Sequence, residues 1–205
     1  MADAPRSATP SAHDAVELVD TITGSLRPIR RAAFGLGSNL GEREEALQGA
    51  VDALLESPEI HAAGVSPVYE TAPVGGPDQA DYLNAVLVVD TTLPPRALLE
   101  RAHAVEEAYG RDRAREERWG PRPLDIDVLA VGDQVVTGGG DGAGGLVLPH
   151  PRAAERGFVL APWADVDPGF RLPGSRTVRE LLDEVAGRGG LQGVRRRPDL
   201  ALVLP

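Results

Sequence analysis

An α+β fold, an antiparallel sheet with helices on one of its faces, follows from three features of this chain. Short apolar runs of strand length alternate with longer stretches whose apolar residues recur at helical spacing. Their order is strand, helix, strand, strand, helix, strand, which closes into a split β-α-β layer. At 205 residues the chain also fits one domain with loose ends and can bury a sizeable core.

Residues 1–29 are rich in Ala, Ser, Thr, Pro and charge, with a weak helical hint from Ala15 to Ile22, and read as a flexible N-terminal extension. The apolar run Ala32 to Leu36 predicts the first strand, and Gly37-Ser38-Asn39-Leu40-Gly41 turns it into a helix from Glu42 to Leu55. Ser38 and Asn39 are of the type that caps such a helix. The turn lacks the lysine and spacing of a nucleotide-binding P-loop. Ile60 to Tyr69 predicts a second strand, and Thr71 to Pro77 is a loop dense in Pro and Gly. A third strand opens at Asp81-Tyr82-Leu83-Asn84 and runs to Asp90. Pro94 and Pro95 start a helix to about Ala108, with Leu98, Leu99, Ala102 and Val105 on one stripe. After an arginine-rich loop, Leu124 to Val131 is the fourth core strand, and this order is that of a ferredoxin-like βαββαβ core.

Beyond it, Gly132-Asp133 predicts a tight turn and Gly138 to Gly145 a mobile, glycine-rich connection. Leu146 to Pro151 leads to a short helix at Arg156-Gly157-Phe158 and an apolar segment ending at Pro162-Trp163. A last helix spans Val178 to Val185. These features divide the chain into an extension (1–29), a catalytic domain (30–186) and a tail (187–205) to which no function is assigned.

The chemistry concentrates in Arg118-Trp119-Gly120-Pro121-Arg122-Pro123-Leu124-Asp125-Ile126-Asp127. On a strand, Asp125 and Asp127 share one face, with Cα atoms roughly 6 to 7 Å apart at a rise of about 3.3 Å per residue. Such a pair suits hard cations, and the arginines at 111, 113, 115, 118 and 122 suit phosphate oxygens. Alternation alone would equally describe a half-exposed strand, and the arginines alone a solvated turn balanced by Glu116 and Glu117. A tryptophan and a rigid Gly-Pro turn among the charges favour a ligand site.

Composition excludes several classes. With 31 acidic against 21 basic residues and a net charge of -10, general nucleic-acid binding is disfavoured. All the basic residues are arginine, so no lysine nucleophile or Schiff base is available. The absence of cysteine rules out disulfides and thiolate chemistry. No apolar run is long enough to span a bilayer and residues 1–29 lack a signal-peptide core, so a cytoplasmic location is expected.

Four blocks together resemble the 6-hydroxymethyl-7,8-dihydropterin pyrophosphokinase family. They are Gly35-Leu36-Gly37-Ser38-Asn39-Leu40-Gly41, Tyr69 to Asn84, Arg118 to Asp127, and Pro149-His150 with Arg156-Gly157-Phe158, in that order within about Ala32 to Leu182. The resemblance implies pyrophosphate transfer from ATP, as co-substrate, to the hydroxymethyl group of the pterin in folate biosynthesis. It also implies two Mg²⁺ ions, held by Asp125 and Asp127. Catalytic roles fall to these two acids with Arg113 and Arg122, and contacts to ATP to Glu106, Arg111, Arg118, His150 and Arg156. From helical spacing alone, Glu106 is equally a surface charge. The pterin would be stacked between Tyr82 and Phe158, read at its edge by Asn84 and the backbone near Thr71 and Val74, and approached by Trp119. The loop from Gly110 to Trp119 is one residue longer than the commonest family spacing, so the inner phosphate contact falls to Arg113 or Arg115. Some bacteria fuse this enzyme to a neighbouring folate enzyme, which points to association with other folate-pathway enzymes. Two rival classes remain: a Mg-dependent nucleotide hydrolase using the same acids, and, more remotely, an RNA-binding ferredoxin-like module, against which 4% aromatic content and the acidic charge both count.

Overall fold

The structure, a computed structural model, describes residues 17–19, 26–73, 75, 77–113, 120–138, 145–174 and 176–205. Near the N-terminus, β1 (Glu17–Val19) and β2 (Leu26–Pro28) pair antiparallel as a small sheet of their own. The helical hint over Ala15 to Ile22 is therefore corrected to strand at Glu17–Val19. An isolated helix that short is marginal in water, whereas pairing with 26–28 gives its backbone groups partners.

The core follows in the predicted order: β3 (Arg30–Ser38), α1 (Arg43–Leu55), β4 (Ile60–Val65), β5 (Tyr69–Thr71), β6 (Tyr82–Thr91), α2 (Pro95–Ala108) and β7 (Asp125–Val131). Then come α3 (Gly157–Val166), α4 (Val178–Gly187) and β8 (Arg195–Arg196). The strands form a six-stranded sheet in the order β7-β3-β6-β5-β8, with β4 also on β6. This is the ferredoxin-like α+β arrangement.

Ile60 to Tyr69 is not one strand. It divides into β4 and β5, both paired with β6, because Pro67 has no N–H to give to a ladder. Ser66 bridges the break: its backbone N–H donates to the Val86 carbonyl at 2.9 Å and its Oγ accepts from the Val86 N–H at 2.8 Å.

Helices cover both faces of the sheet, where one face was expected. Alternate residues of β3 and β6, Phe34, Leu36, Leu87 and Val89, pack with α1 and α2. Their neighbours Ala33, Val86 and Val88 pack with α3 and α4 around the fully buried Trp163. The short helix expected at Arg156-Gly157-Phe158 and the apolar segment ending at Pro162-Trp163 are one helix, α3, which runs through Pro162. Burial of Val159, Leu160, Trp163 and Ala164 against the sheet outweighs the one intrahelical hydrogen bond that proline cannot make. The helix α4 begins with a capping box between Thr177 and Glu180.

Residues 187–205 are fastened to this body. β8 pairs with β5, the Arg197 N–H donates to the Val68 carbonyl at 2.8 Å, and Leu200, Leu202 and Leu204 pack against the core under α1 and α2. Among the described residues, no helix is long and apolar enough to cross a membrane.

Candidate active site

Strand pairing builds the site. In the register of β3, Gly37 lies opposite both Asn84 of β6 and Asp125 of β7, and Gly35 lies opposite Val86 and Asp127. The two acids, Asn84 and Tyr82 thus occupy one face of three adjacent strands, as alternation predicts. The glycines between them carry no side chain, which leaves a hollow over the middle strand. A Cβ at Gly37 would lie 3.6 Å from Asn84 Oδ1 and 3.8 Å from the Asp125 Cβ, filling that floor.

Two cavities meet there. The larger, about 640 Å³, is lined by Thr71, Tyr82, Asn84, Arg156 and Phe158. The smaller, about 270 Å³, is lined by His103, Glu106, Arg111, Arg113 and Leu146. Arg122, Asp125, Asp127 and His150 line both.

The two acids differ in their surroundings. Asp125 Oδ1 accepts from Arg111 Nη1 at 2.5 Å and from Arg122 Nη1 at 2.9 Å, so its charge is matched within the protein. Asp127 instead has His150 Nε2 at 3.8 Å from its Oδ2. The cavity walls crowd its carboxyl although 39% of the side chain still meets solvent. Burial, and then the charge of Asp125, push this carboxyl up to about 7. Two acids whose charges resist being placed together are what a cation would relieve.

His150 is carried in by backbone pairing. Val136 and Leu148 exchange both hydrogen bonds at 2.9 Å, and the His150 N–H donates to the Leu129 carbonyl of β7 at 2.8 Å. Its Nδ1 accepts from the Arg152 N–H at 3.2 Å, which leaves the ring hydrogen on Nε2, facing Asp127. Burial and the neighbouring Arg156 hold its pKa below the usual imidazole value. Arg156 precedes α3, and its guanidinium lies 5.5 Å from the Phe158 ring centroid. Burial and then Arg152 disfavour the Arg156 charge, so an anion brought to that place would be stabilised.

Glu106, on α2, is only 1% exposed, which removes the surface-charge alternative. Its Oε1 accepts from the Ile126 backbone N–H at 2.7 Å and from Arg111, and its Oε2 accepts from Arg113. A buried carboxylate thereby ties α2 to β7 and holds two arginines toward the smaller cavity. In the larger cavity Asn84 Nδ2 donates to Thr71 Oγ1 at 2.8 Å, and Tyr82 Oη donates to the Gly120 carbonyl at 3.4 Å. Tyr82 and Phe158 are half-buried, with ring surface left to the cavity.

Residues 33–168 match the family model described as 7,8-dihydro-6-hydroxymethylpterin-pyrophosphokinase. The chain belongs to this family. The 2-amino-4-hydroxy-6-hydroxymethyldihydropteridine pyrophosphokinase of Pseudomonas aeruginosa is 40% identical over 170 residues, 83% of this chain and 98% of that protein. That of Methylorubrum extorquens is 44% identical over 159 residues, 78% of this chain and 96% of the relative. Among solved structures, the wild-type Plasmodium falciparum HPPK-DHPS with pterin and p-hydroxybenzoate superposes with a TM-score of 0.65 at 16% identity. The match covers 82% of this chain and 46% of that one, and supports the fold. This pyrophosphokinase transfers pyrophosphate from ATP to 6-hydroxymethyl-7,8-dihydropterin, giving the pterin diphosphate and AMP in folate biosynthesis. Neither the hydrolase nor the RNA-binding reading is favoured.

Twelve of the residues singled out from the pyrophosphokinase sequence line the two cavities: Thr71, Tyr82, Asn84, Glu106, Arg111, Arg113, Arg122, Asp125, Asp127, His150, Arg156 and Phe158. Val74, Arg118 and Trp119 lie outside the described residues, as do Arg115 and most of the glycine-rich connection. Ser38 and Asn39 do not cap α1, whose N-cap is Glu42 with no side-chain bond. They face across the sheet end instead: Ser38 Oγ donates to the Pro123 carbonyl at 2.7 Å, and Asn39 binds Arg122 and Gln79. Arg152 and Gly190 also line the larger cavity without having been foreseen. Gly190 arrives there because its carbonyl would meet any Cβ at Gly157, a close approach with no local sequence signature.

Proposed function

We propose that the pterin occupies the larger cavity, ATP extends through the smaller one, and transfer takes place where Arg122, Asp125, Asp127 and His150 border both. The observation that carries this reading is the shared wall: the two acids lie between an aromatic-sided pocket and an arginine-rich one. Tyr82 and Phe158 would sandwich the ring. Asn84, held by Thr71, would read its edge together with the backbone near Val74, and Trp119 would close over it. Arg111, Arg113, Arg118, Arg156 and His150 would take the phosphates, with Glu106 acting through the arginines it holds.

Asp125 and Asp127 fit magnesium. They present hard oxygen donors on one strand face, and among the described residues no third His, Cys, Asp or Glu joins them. Mg²⁺ is commonly held by one or two carboxylates with phosphates and waters completing its shell. Two such ions would neutralise phosphate charge. The chain's own part is positional. The ring is held so that the hydroxymethyl oxygen lies in line with the β-phosphorus. That O–P bond forms as the bridging bond to the α-phosphate breaks, AMP leaves, and the hydroxyl proton is released. Arg122, bonded to Asp125 beforehand, is near enough to follow the developing negative charge.

We further infer a cytoplasmic enzyme that associates with other folate-pathway enzymes and binds no nucleic acid. The net charge of -10 and the joined HPPK-DHPS chains among solved relatives support this. AMP release measured with and without hydroxymethyl-dihydropterin, over a magnesium titration, tests the central reading. Release that needs both supports it, whereas pterin-independent turnover overturns it.

A further inference from the structure

Asn39 joins the two halves of the site. It is 3% exposed and stands at the end of β3, where two segments of irregular backbone converge. Its Oδ1 accepts from the Arg122 N–H at 2.7 Å, and its own backbone N–H donates to the Arg122 carbonyl at 3.1 Å. Its Nδ2 donates to Gln79 Oε1 at 2.8 Å and to the Ala80 carbonyl at 3.1 Å. Arg122 borders both cavities, while Gln79 lines the larger one and Ala80 stands two residues before Tyr82.

Only a side chain that accepts on one branch and donates on the other can make both connections. Aspartate accepts alone, and leucine does neither. Neither partner segment belongs to a strand at the point of contact, since β6 begins at Tyr82 and β7 at Asp125. Side-chain hydrogen bonds therefore set how far the Tyr82 edge stands from the Arg122 guanidinium. From the same turn, Arg43 of α1 donates to the Asp81 carbonyl at 2.7 Å, so the acceptor-side segment is held at two points.

We propose that Asn39 is a positioning residue that sets the distance between the pterin pocket and the phosphate-facing Arg122, and so specifies productive alignment of the two substrates. This rests on the assignment of the larger cavity to the pterin. Asn39 touches neither substrate. It acts through Gln79 and Ala80 on one side and Arg122 on the other.

The two arms can be cut separately. Asn39→Asp keeps an acceptor for the Arg122 N–H and loses the donor toward Gln79 and Ala80. It raises the KM for pterin about tenfold while the KM for ATP stays within about twofold, in line with the loss of a buried hydrogen bond. Asn39→Leu cuts both side-chain arms, leaving only the backbone bond to the Arg122 carbonyl, and lowers kcat about 100-fold, as misplacement by an ångström does. Gln79→Ala shifts the pterin KM in the same direction, and adds nothing further in the Asn39→Asp background. Should Asn39→Leu fail to fold by near-ultraviolet circular dichroism, the cycle of Asn39→Asp and Gln79→Ala decides alone. Equal shifts in both KM values, no shift in either, or full additivity with Gln79→Ala overturns the proposal. Tyr82→Ala and Phe158→Ala serve as controls. If they leave the pterin KM unchanged, the cavity assignment itself is wrong, whereas if they raise it and Asn39→Asp does not, only the role of Asn39 is lost.

Discussion

Arg111 donates to Asp125 Oδ1 at 2.5 Å from a buried position just beyond α2, and the same guanidinium is bonded to Glu106. One cation is thus shared between a buried carboxylate and one that borders both cavities, and its neighbour Arg113 binds the other oxygen of Glu106 while remaining 46% exposed at the side chain. The pair separates folding from catalysis. Arg111→Ala removes the buried one of the two cations that neutralise Glu106 and is expected to destabilise the protein by about 3 kcal/mol. Arg113→Ala is expected to cost under about 1 kcal/mol, because its exposed charge is screened, while lowering kcat about 100-fold through lost phosphate stabilisation. Urea unfolding and steady-state kinetics on both variants check this. Equal stability losses would show that Arg113 supports Glu106 as much as Arg111 does, and that the buried cation has no special part in folding.

The raised pKa of Asp127 gives the metal-free enzyme a defined pH response. Its ordinary value is 3.8 and its folded value about 7, so folding favours the protonated form. The destabilisation is absent below the ordinary value, grows as pH rises between the two, and is complete above about 7. Asp127→Asn, permanently neutral, is therefore expected to stabilise the magnesium-free protein at pH 8 by about 1 kcal/mol, a figure discounted for the solvent that reaches the carboxyl. At pH 4 it is expected to have no effect, and at either pH the variant loses magnesium-dependent turnover. A gain at pH 4 equal to that at pH 8 contradicts the electrostatic cause.

The acids and their shared face were legible in the sequence because a two-residue strand period is a local property. So was the start of α2, since Pro95 at a helix start needs no tertiary context. Other features depended on partners far along the chain. Glu106 follows a helical stripe that looks like surface until the Ile126 N–H and Arg111 close over it. Asn39 has the chemistry of a helix cap, and only the arrival of residues 40 and 83 positions away makes it a bridge. The helical course through Pro162 was hidden for a related reason. Local propensity forbids it, and burial against the second face of the sheet overrides that preference.

Thr71 offers a finer test of the proposal that Asn84 reads the pterin edge. Its Oγ1 accepts from Asn84 Nδ2, which turns Asn84 Oδ1 toward Gly37 and the hollow above it. Thr71→Val keeps the shape and removes the acceptor, leaving the Asn84 amide free to flip. The expected result is a rise in pterin KM of about fivefold with kcat and the ATP KM nearly unchanged, matching the loss of one hydrogen bond of about 1 kcal/mol. An unchanged pterin KM would mean that Asn84 is oriented by something other than Thr71.

Residues 195–205 lie beyond the matched family region, yet they are bound to the sheet at several points. Arg195 and Arg197 both reach Glu70, next to Thr71, at 3.4 Å and 3.1 Å. The Gln48 amide and the Val203 backbone bond reciprocally, at 2.9 Å and 2.8 Å, and the three leucines at 200, 202 and 204 are partly buried beside α1 and α2. Partial burial contributes about 1 kcal/mol per leucine, so removing residues 195–205 is expected to lower stability by about 3 kcal/mol. Arg195 is solvent-exposed and its ion pair adds little, whereas the partly buried Arg197 pair adds modestly more. Gln48→Ala, which cuts the clamp but leaves the leucines, is expected to cost less than about 1 kcal/mol. Urea unfolding of the two proteins separates the contributions. A truncated enzyme as stable as the full chain would mean that the tail merely lies on the core, and that β5 keeps its place through β6 alone.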